Sequence, residues 1–125
     1  MVVDFRTRFI IPNVLAMIMS YVVEMDDKAL EDALKRGENF VLDLWAEWCA
    51  PCKMLEPIFE ELARQYKDVV KFYKLNVDRY PHVAMKYGVM GIPTTLFFKD
   101  GAPAGRIVGL RPESIFISKV HELYL

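Results

Sequence analysis

The stretch WAEWCAPCK, residues 45–53, holds both cysteines of the chain, Cys49 and Cys52. Two thiols at that spacing can form a structural staple, supply half of a metal site, or act as a reactive pair. A staple here closes a loop of very few residues and removes little entropy from the unfolded chain. A structural zinc takes four ligands. The remaining candidates, His82 and His121, lie far apart with no ligand-like spacing. The reactive pair therefore leads. If the motif joins a strand to a helix, Cys49 stands at the helix amino terminus, where free N–H groups and the helix dipole favour a thiolate. Cys52, one turn in, is expected to be more buried and to keep its proton more tightly. That asymmetry suits thiol–disulfide exchange: Cys49 attacks a substrate disulfide, and Cys52 then attacks the mixed disulfide and releases reduced product. Residues three apart on a helix have Cβ atoms about 5–6 Å apart. A disulfide needs roughly 3.5–4.5 Å, a gap that a small adjustment of the first turn closes.

Asp43 is the second chemical signal. It interrupts the apolar run FVLDLWA, residues 40–46, where a carboxylate is unfavourable unless paired or neutral. It is either a satisfied structural acid or a carboxyl of raised pKa beneath the helix carrying Cys52, able to take its proton. Lys74, which interrupts the apolar run VVKFYKLNV at 69–77, is a candidate counter-charge.

The elements that must position these groups follow from periodicity. A short strand is expected at 21–24. A helix capped by Asp26 or Asp27 should then present Leu30, Ala33 and Leu34 on one face and stop at Gly37. Residues 40–46 form a central strand covered on both faces. The helix that starts in the cysteine motif buries Leu55, Ile58, Phe59, Leu62 and Tyr66 at helical spacing, and Pro57 should kink it. A second apolar strand covers 69–77, and a short helix runs from Pro81 to Tyr87. A strand at 95–99 turns at Asp100-Gly101, a strong hairpin signal, into a partner at 104–108. That partner is an edge strand because Pro103 cannot donate to a ladder. The last helix has Pro112 in its first turn and faces Ile115, Phe116, Val120 and Leu123 inward. Alternating strands and helices followed by an antiparallel pair imply an α/β fold: a mixed sheet of about five strands flanked by four helices.

The bulk composition agrees. The chain has 125 residues, 54% hydrophobic and 26% charged, which is a single globular domain with no mark of disorder. A net charge of -1 and the absence of a basic stripe argue against nucleic acid as a partner. Residues 1–19 stand apart as an apolar extension of the domain at 20–125. Arg6 and Arg8 precede an apolar run resembling a signal peptide, but Pro12-Asn13 interrupts it and no A-x-A cleavage pattern follows. The run is too short and broken for a transmembrane helix. An extra packed element, an export signal or anchor, and an upstream extension of a chain starting at Met17 or Met19 are the competing readings.

From about Ser20 to Leu125 the chain resembles the thioredoxin family. WAEWCAPCK resembles its active-site signature, usually W-C-G-P-C-K. Asp43 matches the buried aspartate, Lys74 its neighbouring lysine and Pro57 the kink proline. GIPT, residues 91–94, matches the loop with a cis-proline opposite the cysteines, and Val108-Gly109 matches the glycine flanking the substrate groove. The resemblance implies the thioredoxin fold and a cis Ile92–Pro93 bond. It also implies an apolar docking surface made by Trp48, Pro51, Ile92, Pro93 and Gly109 around Cys49, with Trp45 as core support. The implied activity is that of a cytoplasmic protein-disulfide reductase. It would act on disulfide-containing proteins, use no bound cofactor or metal, and take electrons from a thioredoxin reductase. Two alternatives remain: an exported or anchored relative that oxidises or isomerises disulfides, and an interaction module without turnover. Ala50 replaces the usual glycine between the cysteines, from which a modest shift in potential is expected.

Overall fold

A computed structural model describes residues 20–125. The readings made for 1–19 lie outside the described residues. In chain order the elements are β1 (Val22–Glu24), α1 (Asp27–Lys35), β2 (Phe40–Trp45), α2 (Ala50–Tyr66), β3 (Lys71–Asn76), α3 (Pro81–Lys86), β4 (Thr94–Lys99), β5 (Ala102–Val108) and α4 (Glu113–Tyr124). The strands form one mixed sheet in the order β1-β3-β2-β4-β5. β3 runs parallel to both β1 and β2, while β4 is antiparallel to β2 and β5. Five strands and four helices match the sequence expectation.

Local chemistry explains the boundaries. The Asp26 carboxylate accepts the Ala29 N–H at 2.7 Å and starts α1, with Asp27 in the first turn and Lys35 in the last. Asp100 and Gly101 both adopt positive φ, 54° and 76°, as a tight hairpin between right-twisted strands requires. Only glycine suits the second position, because a Cβ there would strike the Leu34 carbonyl.

Alternation along β2 divides the core in two. Phe40, Leu42 and Leu44 pack with Leu30, Leu75, Val83, Leu96 and Phe98 on the face covered by α1 and α3. Val41 packs with Phe72 and Phe97 on the opposite face, against Leu55, Phe59 and Leu62 of α2 and Phe116 and Val120 of α4. The Tyr124 hydroxyl donates to the carbonyls of Phe98 (2.8 Å) and Phe40 (3.2 Å), fastening the end of α4 to β4 and β2.

Several expectations need correction; the strand expected at 69–77, for one, runs only Lys71–Asn76. β5 starts at Ala102 and includes Pro103, which stands opposite Phe98 beside a register irregularity at Phe97/Phe98. An edge strand tolerates the missing N–H. Pro112 precedes α4, its ψ of 150° being extended, and so lies outside the first turn. Ile115 is 43% exposed. Phe116 and Val120, four apart, define the inward stripe, and Ile115 falls beside it.

Candidate active site

β2 ends at Trp45, and Cys49 caps α2 with extended backbone angles. Its sulfur accepts the Cys52 N–H at 3.3 Å, so a first-turn donor is aimed at it. The cap and the helix dipole together favour negative charge on that sulfur. Cys49 and Cys52 are joined as a disulfide with Cα atoms 5.2 Å apart. The expected contrast in burial is slight in this state, with Cys49 3% and Cys52 1% exposed. Cys49 is tucked against the Ile92 carbonyl, 3.7 Å from its Sγ, and packs with Trp45 and Ala46.

A polar row crosses the sheet on the face toward α2, whose Glu56 acts on Asp43. Register places Glu24, Lys74, Asp43 and Thr95 side by side on β1, β3, β2 and β4, with Ile107 of β5 closing the row. Asp43 is 2% exposed, and its Oδ1 has no hydrogen-bond partner. Burial raises its pKa from 3.8 to about 7; Lys74 opposes the rise, while Glu56 and Glu24 add to it. Lys74 is the expected neighbour in charge, but its ammonium is directed at Glu24 (4.0 Å) and over the Trp45 ring (5.1 Å). Trp45 is buried and donates its indole N–H to Glu24 at 3.3 Å, which fits core support.

The rim is apolar. Trp48 is 70% exposed, and its indole N–H donates to Asp78 at 2.9 Å. Asp78 is itself held in its turn by a 2.8 Å bond from its N–H to the Asn76 side chain. The Ile92–Pro93 bond is cis. Pro93 is buried, Ile92 half-buried and Pro51 exposed. Gly109, at φ +87°, donates its N–H to the Pro93 carbonyl at 2.7 Å, tying the end of β5 to this loop.

A cysteine pair at the amino terminus of a helix that packs on the face with a buried acid can exchange disulfides. A family model described as thioredoxin matches residues 21–122. The chain belongs to the thioredoxin family. It is 45% identical over 92 residues to a thioredoxin of Staphylococcus saprophyticus, covering 74% of this chain and 88% of that one. A thioredoxin of Staphylococcus aureus is 44% identical over the same shares. Among solved structures, a mutant thioredoxin from Halobacterium salinarum superposes with a TM-score of 0.76 at 31% identity, covering 83% of this chain and 91% of that one. A thioredoxin from Nicotiana alata gives 0.76 at 30%, covering 85% and 95%. The five-stranded sheet with its four helices is the thioredoxin fold, and the protein is a thiol–disulfide oxidoreductase.

The two histidines set aside as zinc ligands have other partners: His82 pairs with Asp27 at 2.9 Å and His121 with the Tyr66 hydroxyl at 3.0 Å. Sequence reasoning did not single out Glu24, Glu56 and Thr95, which stand around Asp43, or Asp78, which holds the Trp48 indole. Glu56 could have been found, because it lies four residues after Cys52 on the same helix face. Asp78 gave no signal, being one acid in a polar turn.

Proposed function

We propose that this protein is a general protein-disulfide reductase in which Cys49 is the nucleophile and Cys52 the resolving thiol. The observation that carries the reading is the cysteine pair at the start of α2, the helix whose Glu56 acts on the buried carboxyl of Asp43. In the reduced protein the Cys49 thiolate attacks one sulfur of a substrate disulfide, and the other substrate sulfur leaves as a thiolate that takes up a proton. Cys52 then gives its proton to the Asp43 carboxylate. Its thiolate attacks Cys49 Sγ, and the second substrate thiolate leaves and is protonated. Two electrons pass to the substrate, and the protein is left as the Cys49–Cys52 disulfide. A thioredoxin reductase restores the dithiol by supplying two electrons. Lys74 tunes Asp43 through its charge.

Trp48, Pro51, Ile92, Pro93 and Gly109 form the docking surface, where an extended segment beside the substrate disulfide lies along Ile92 in the manner of an added strand. The redox unit is residues 20–125, with 1–19 as an extension, and the site of action is the cytoplasm. Among the described residues no helix is long and apolar enough to cross a membrane.

Cys49→Ser should abolish turnover of a disulfide-bonded protein such as insulin, whereas Cys52→Ser should accumulate mixed disulfides with targets. Full activity in Cys49→Ser refutes the mechanism. The reduction potential in defined dithiol buffers should lie near about -270 mV. A value toward about -120 mV would instead assign an oxidant working outside the cytoplasm.

A further inference from the structure

The row through Asp43 contains a second orphan. Thr95 Oγ1 is buried without a hydrogen-bond partner, as is Asp43 Oδ1. The two residues stand directly opposite each other across the antiparallel β2–β4 pair, where facing side chains have Cβ atoms about 4.5–5.5 Å apart. Thr95 is 0% exposed and Asp43 2%. Valine would fill the same volume, suit a strand equally and bury no hydroxyl. A buried hydroxyl without a partner is unfavourable, so one placed beside a carboxyl that gains and loses a proton calls for a use.

We propose that Thr95 is a positioning residue for proton transfer at Asp43: its hydroxyl turns about χ1 and donates to the carboxylate whenever that group is ionised. The inference rests on the reading of Asp43 as the proton acceptor for Cys52. The other charged groups that act on Asp43 are Lys74 from β3, Glu24 from β1 and Glu56 from α2, the helix that carries Cys52 one turn earlier. Burial, Glu56 and Glu24 disfavour the charged form, and Lys74 favours it. A donor that engages only the carboxylate sides with Lys74 and lowers the pH at which Asp43 becomes ready to accept a proton.

The test is a carbon-13 titration of the Asp43 side-chain carboxyl in the reduced protein, alongside the pH profile of insulin reduction. Thr95→Val should raise the Asp43 midpoint by about one pH unit and move the profile with it. Thr95→Ser, which keeps the hydroxyl, should titrate like the parent. An unmoved midpoint in Thr95→Val, or an equal displacement in Thr95→Ser, overturns the proposal. Asp43→Asn separates the two ideas. If it keeps full turnover at every pH while Thr95→Val still shifts the midpoint, the acceptor role fails and the Thr95 contact stands.

Discussion

The two faces of β2 both pack against apolar cores, but they differ in what polar groups they bury. Phe40, Leu42 and Leu44 look onto a mainly apolar layer in which Phe40 stacks on Phe98 with ring centroids 4.4 Å apart. One residue out of phase, Asp43 looks onto a row with Lys74 and Glu24 on one side and Thr95 on the other. Both faces are buried, yet the unpartnered side-chain oxygens of Asp43 and Thr95 lie on only one. Both faces hold the fold together, but only the face toward α2 also carries a buried polar row. The difference follows from the two-residue period of extended backbone.

That contrast implies opposite responses at adjacent positions. The raised pKa of Asp43 means the native protein keeps a proton that the unfolded chain releases between 3.8 and about 7. Stability therefore falls as pH rises through this window, by about 4 kcal/mol in all. Asp43→Asn lacks this titration. Between about pH 4 and about pH 8 its denaturant stability should gain about 4 kcal/mol relative to the oxidised parent, while its disulfide turnover falls. A parent whose stability does not decline over that window would erase the contrast between the faces.

Leu42→Ala, next door on the apolar face, should lose about 3 kcal/mol at every pH, without a pH-dependent component. Equilibrium unfolding at two pH values measures it. The smallest effect is expected at the rim. Asp78→Ala removes the acceptor of the Trp48 indole N–H, a bond of about 1 kcal/mol, so KM for a protein disulfide should rise about fivefold with kcat unchanged. A fall in kcat alone would place Trp48 in the chemistry and sharpen the division in another way.

How much of this was legible depended on range. The apolar runs at 40–46 and 69–77, the Asp26 cap and the Asp100-Gly101 turn act within a few residues, and they marked the elements and the strand-to-helix placement of the cysteines. Asp43 was visible because a carboxylate inside an apolar run conflicts with its surroundings. The row Glu24–Lys74–Asp43–Thr95 was not visible as a set, because strand register, set by packing across the sheet, brings its members together. The Trp48–Asp78 bond spans 30 residues and lacks any period that could announce it. Thr95 looked like an ordinary β-branched strand residue. Pro103 was read as the mark of an edge strand, which β5 is, but the strand begins at Ala102, two residues before the expected start at 104.

That proline has a wider consequence. Both margins of the sheet are poor templates for another chain. β1 offers three residues, and β5 carries Pro103 beside an irregular step in its ladder. An exposed margin with a complete row of donors invites intermolecular zippering. A protein proposed to work on extended, disulfide-bearing segments would meet that hazard at each encounter. Blunted margins discourage such segments from adding along β1 or β5, where capture would bring no exchange, and the same blunting protects concentrated solutions of the protein from edge-to-edge aggregation.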